Sequence, residues 1–230
     1  MGKDLSSSLL KSIIGKKEVI GKMKINSEIH ELLKRADTFI LSEFHIKFHT
    51  EKKRIHLYND SEWADYKNSN YDSNRHPPAS IYDNETDQIH VCFERKYYKS
   101  NIFHEIYGHR FFFTRSDYGK LYLKIMTKIK SGLLSDSEAV KKYPKILNYG
   151  FQFKYIKNSC NGEGFAVWME GLLCNEFKLD FLFTDKLIEY TKIRINNKYP
   201  YTYFDVYNKF IEEEKILTRL GIMKKLGFKL

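Results

Sequence analysis

Residues 89–113 read Ile89-His90-Val91-Cys92-Phe93-Glu94-Arg95-Lys96-Tyr97-Tyr98-Lys99-Ser100-Asn101-Ile102-Phe103-His104-Glu105-Ile106-Tyr107-Gly108-His109-Arg110-Phe111-Phe112-Phe113, and the pattern changes period midway. Over 89–93 His90 alternates with apolar Ile89 and Val91, the two-residue period of a strand. From Asn101, a plausible N-cap, the apolar spacing becomes helical and predicts a helix over 101–113. Upstream the signals are those of strands. Ala79-Ser80-Ile81-Tyr82 and the turn 83–87 make a hairpin with 89–93. Phe44, Ile46 and Phe48 alternate with His45, Lys47 and His49, and Ile55 and Leu57 return as their partner after the turn 50–53. Residues 59–79 are polar, end in Pro77-Pro78 and read as a long loop. Downstream the signals are helical, near 118–130, 137–148, 162–177, 184–196 and 202–226.

Strands followed by helices predict an α+β fold, a small antiparallel or mixed sheet with helices on one face. Ile25, Ile29, Leu32 and Leu33 recur at helical spacing, so residues 1–38 form an N-terminal helical segment. Residues 39–99 form a β-rich subdomain and 100–230 a helical subdomain, together one compact unit.

Composition narrows the function classes. With 230 residues, 42% of them hydrophobic, the chain can bury a core. No apolar run approaches the ~20 residues of a spanning helix. The net charge of +10 invites a nucleic-acid reading, but 31 lysines against 8 arginines, scattered along the chain, do not make a phosphate-clamping surface. Cys92, Cys160 and Cys174 are too few for a disulfide framework and read as free thiols of a reducing compartment. The first apolar stretch is broken by Lys11 and has no small-residue cleavage site, so a cytoplasmic location is expected.

The chemistry lies in His104-Glu105-Ile106-Tyr107-Gly108-His109. Neutral imidazoles bind zinc, and a carboxylate one residue after the first ligand can take a proton from a metal-activated water. The spacing is one longer than H-E-x-x-H. On a regular α-helix, residues five apart differ by ~140°, so His104 and His109 share a metal only if one turn widens to a π-type turn. Gly108 is the residue expected to tolerate it. Glu163, 54 residues after His109, opens an apolar helix beside small Gly162, Gly164 and Ala166. A carboxylate there needs a partner or a metal. Two His, one Glu and an open fourth position form the catalytic zinc pattern, one Zn2+ per chain. Glu170, two turns on, is either the acid that orients a histidine or an ordinary surface acid.

His104, Glu105, Gly108, His109 and Glu163 resemble the gluzincin class of zinc metallopeptidases. The extra residue and the glycine are similar to the H-E-L-L-G-H helix of dipeptidyl peptidase III. The resemblance implies a zincin-like fold, zinc on His104, His109 and Glu163, and Glu105 as general base for peptide hydrolysis. It makes 89–93 the strand along which an extended substrate lies. It also implies a Tyr or His after the glutamate ligand as oxyanion donor, for which Tyr201 and Tyr203 are the candidates. It does not extend to dipeptide release.

A peptide or protein substrate is the expected partner. No membrane partner is expected, and nucleic acid ranks behind the peptide. The rival readings are a zinc hydrolase of a non-peptide amide, and a basic nucleic-acid or partner-binding protein with a structural or vestigial metal.

Overall fold

The computed structural model describes residues 4–70, 79–143, 163–180 and 203–230. Helix α1 (Asp4–Phe44) runs past the expected end at 38. It stops where His45 takes a left-handed φ of 57°. From Phe44 to Thr50 burial alternates as the sequence predicts, but no ladder forms. Phe48 instead packs its ring 5.8 Å from Tyr107 and 4.7 Å from Phe111. The expected hairpin between 44–48 and 55–57 is therefore absent. Side-chain burial against helices replaces strand pairing there.

The sheet has three strands, β1 (Ile55–Tyr58), β2 (Ser80–Asp83) and β3 (Gln88–Cys92), in the order β1-β3-β2. β2 and β3 form the expected antiparallel hairpin, with Ser80 opposite Val91. β1 pairs parallel to β3, Ile55 opposite Ile89. The sheet is thus mixed, and β3 is its central strand. That overturns its assignment as the substrate edge, because both of its edges already carry strands.

Residues 60–70 are not loop but helix α2 (Asp60–Asn70). The signal was Asn59-Asp60-Ser61-Glu62, a reciprocal cap. The Glu62 N–H donates to Asn59 Oδ1 at 2.8 Å, and the Asn59 N–H to Glu62 Oε2 at 2.9 Å. The helix buries Trp63 and lays Tyr66 on His90 at 4.5 Å, covering the outer face of the sheet. Helices therefore flank both faces, and His90 is buried between sheet and helix.

The helical part comprises α3 (Tyr98–Phe103), a π-helical turn (His104–Arg110), α4 (Phe111–Arg115), α5 (Asp117–Lys130), α6 (Asp136–Lys142), α7 (Glu163–Phe177) and α8 (Tyr203–Lys225). The N-cap of α3 is Tyr97 rather than Asn101, whose N–H already donates to the Tyr97 carbonyl at 2.9 Å. The helix expected at 184–196 and the end of that at 137–148 lie outside the described residues. One hydrophobic core joins α1, the inner sheet face, α3 to α5, α7 and α8, around buried Phe103, Phe111, Phe165, Trp168 and Phe210. Among the described residues no helix is long and apolar enough to cross a membrane.

Burial, helped by His56 stacked 5.0 Å away, pulls the His90 imidazole down to about 4, with Asp83 opposing. A histidine depressed in the folded state stays neutral there while the unfolded one protonates. Its contribution to stability is therefore present above about pH 6.5 and is lost as pH falls towards 4. Thermal melts across this window should show the midpoint dropping with acidification, and His90→Gln should flatten that slope.

Candidate metal centre

The segment 98–115 is one continuous helical rod with a single widened stretch, at His104–Arg110. The Phe111 N–H reaches back to the Ile106 carbonyl, five residues earlier, which is the π-type bond the histidine spacing requires. As a result the two imidazoles share a face. Their ring centres lie 4.8 Å apart with planes at 81°. Neighbouring rings hold His109, whose imidazole stacks on Phe113 at 5.9 Å.

Three contacts around the turn fix it. On the side of α7, Gly108 meets Ala166 so closely that an added Cβ would sit 2.5 Å from the Ala166 Cα. Gly108 has no left-handed φ. It is glycine for closeness, not for the backbone freedom the sequence suggested. On the side of α1, the Tyr107 hydroxyl donates to the Leu33 carbonyl at 3.0 Å and to Asp37 Oδ1 at 2.6 Å. Burial raises the Asp37 carboxyl, with Tyr107 and His49 pulling the other way. On the side of the sheet, Arg110 Nε donates to Asp87 Oδ1 at 2.9 Å, tying the turn to the β2–β3 connection.

Helix α7 runs antiparallel to the motif, with Ala166 beside Gly108 and Glu170 beside His104 and Ser100. Glu170 is 2% exposed and is the orienting acid, not a surface one. His104 Nδ1–H donates to its Oε2 at 2.9 Å, and the Ser100 hydroxyl donates to its Oε1. With Nδ1 carrying the proton, His104 keeps its lone pair on Nε2, the nitrogen a metal would use.

Glu105, also buried, accepts a hydrogen bond from the Ser80 hydroxyl at 2.7 Å. Ser80 was not singled out from sequence. The signal was hairpin register, which puts it at the start of the strand facing the motif. Burial, with Glu170 next, pushes the Cys174 thiol up to about 12, so it offers no thiolate nucleophile.

The backbone of Glu163 opens α7, and by continuation of the antiparallel run it lies towards the His109 end of the motif. Its side chain, Tyr201 and the side chain of Tyr203, the first residue of α8, lie outside the described residues. Among the described residues no group of three His, Cys, Asp or Glu side chains is gathered for a metal. The donor set itself suits zinc: two imidazoles on one face, one of them polarised by a buried carboxylate.

Compared with known proteins, the chain matches no family model, no curated protein and no solved structure.

The Gly108–Ala166 approach predicts the effect of one methyl group. Gly108→Ala must push backbone apart and should cost about 1–3 kcal/mol. The midpoint of thermal unfolding checks it.

Proposed function

We propose that the chain is a zinc-dependent metallopeptidase of zincin type, with His104, His109 and Glu163 as metal ligands. The observation that carries this reading is the π-turn, which brings two histidines at five-residue spacing onto one face with Glu105 beside the first. Zinc bound there supplies a Lewis acid for the scissile carbonyl and an acidified water. Glu105, held by Ser80, takes the proton of the attacking water and hands it to the leaving amine. Glu170 keeps His104 in the tautomer and rotamer suited to a ligand. Tyr201 and Tyr203 remain the candidates for the hydrogen bond to the developing oxyanion.

Peptide is favoured over other amides by the strand next to the motif. The Cys92 N–H donates to the Ala79 carbonyl at 3.1 Å. In the antiparallel alternation this turns Ala79, Ile81 and Asp83 towards β3 and leaves the main-chain groups of Ser80 and Tyr82 pointing outward. Ser80 also holds Glu105. An extended chain added along β2 therefore passes beside the general base. The substrate edge proposed is β2, in place of β3. The rival of a basic binding module with a vestigial metal gives no reason for a buried carboxylate to orient His104.

Glu105→Gln should keep zinc and lose roughly 10²–10⁴-fold in peptide turnover, because an amide cannot accept the proton. Metal analysis together with peptide-library cleavage, with and without chelator, checks this; wild-type turnover in the variant would remove the mechanism. Glu163→Ala should lower zinc content and activity together. Glu170→Ala should weaken zinc by a smaller factor, roughly 10–100-fold, measured by competition with a chromophoric chelator.

A further inference from the structure

We propose that the corner between α5 and α6 is a peripheral docking surface for an anionic lipid bilayer. Helix α5 turns Tyr122, Ile125 and Met126 inward and leaves Lys120, Lys124 and Lys128 exposed. Four-residue spacing sets these three in one row, where like charges repel. None of them makes an ion pair among the described residues, whereas Lys130, on another side, pairs with Glu85 at 3.2 Å. Lys141 and Lys142 of α6 are exposed too, and the Lys142 ammonium lies 5.8 Å from the ring centre of Tyr143. Of the acids on α6, Glu138 is engaged by the Ser135 hydroxyl and N–H as the cap of the helix.

Between the two helices stands Leu133, 78% exposed. Its backbone is fixed on both sides. Gly132 adopts φ 72°, its N–H donates to the Ile129 carbonyl at 3.0 Å, and the Leu133 N–H donates to the Lys128 carbonyl at 2.9 Å. In this helix-ending motif the residue at the place of Leu133 commonly folds back onto an apolar neighbour in the last turn. Here that neighbour is Lys128, and the leucine stands outward. Leu121, Ile125 and Tyr143 line a cavity of about 310 Å³ together with Lys124, Thr127 and Lys128.

A rigidly presented leucine between two lysine-bearing helices matches a surface that is negative outside and apolar just beneath, as the headgroup layer of an anionic bilayer is. Nucleic acid would engage the lysines and leave Leu133 in water. A surface contact of this kind needs no spanning helix.

The test uses the full chain and sedimentation with vesicles, either equal parts phosphatidylcholine and phosphatidylserine or phosphatidylcholine alone. Binding is expected to the anionic vesicles only, and to fall as salt is raised. The paired substitution K124E and K128E should weaken it by more than roughly 25-fold, taking roughly fivefold per lysine lost. Leu133→Ser should weaken it roughly tenfold. All three positions are exposed, so unchanged melting curves are expected. In a Leu133→Trp variant, the anionic vesicles should shift to the blue the emission that the added indole contributes. No binding to anionic vesicles would overturn the proposal, as would binding that both sets of variants retain. Duplex-oligonucleotide binding that the charge reversals abolish and Leu133→Ser leaves intact, with no vesicle binding, would assign the patch to nucleic acid and overturn it too.

Discussion

Two side chains five residues apart cannot share a face of a regular α-helix, and the architecture around the histidines follows from that constraint. One turn must widen, and a widened turn has poorer internal hydrogen bonding than the helix on either side. The protein meets this by contacting the turn from three directions. Ala166 approaches a glycine that has no Cβ, Tyr107 is anchored on α1, and Arg110 is anchored on the β2–β3 connection. Helix, sheet and N-terminal helix thus converge on seven residues, and the hydrophobic core is arranged around their meeting point.

The same convergence explains how a carboxylate can sit in the core. Glu170 is buried, which is costly for a charge without partners. Ser100 and His104 supply a donor to each of its oxygens. Neither donor could reach it without the close approach at Gly108, because that approach brings α7 within hydrogen-bond range of the rod. The packing of two small residues therefore sets the tautomer of a histidine one helical turn away.

Much of this was legible in the sequence where one residue type forces one geometry. The histidine spacing demanded a π-turn, and the turn is there. The hairpin at 80–92 and the long helices followed from periodicity. Glu170 was visible as an acid two turns into an apolar helix, though not which of its two roles it takes. What failed was inference from alternation alone. Phe44, Ile46 and Phe48 alternate as a strand does, yet a chain crossing a helical surface buries every second residue by the same pleat without any ladder. Polarity misled at 60–70, where the Asn59 and Glu62 cap outweighed the loop-like composition. Strand order was not readable, because nothing local in Ile55–Tyr58 says that its partner is β3, running parallel, rather than residues 44–48.

The widened turn also bears on how such a motif can change length. With about 4.4 residues per turn, five residues bring the chain back to nearly the angle that four give in an ordinary α-helix. α3 before the turn and α4 after it consequently keep the phase of an uninterrupted helix, so Phe103 behind and Phe111 ahead point into one core. In geometric terms the turn absorbs one extra residue where it occurs. One residue can thus be gained between the two histidines with the flanking helices, their packing partners and Glu170 left in place.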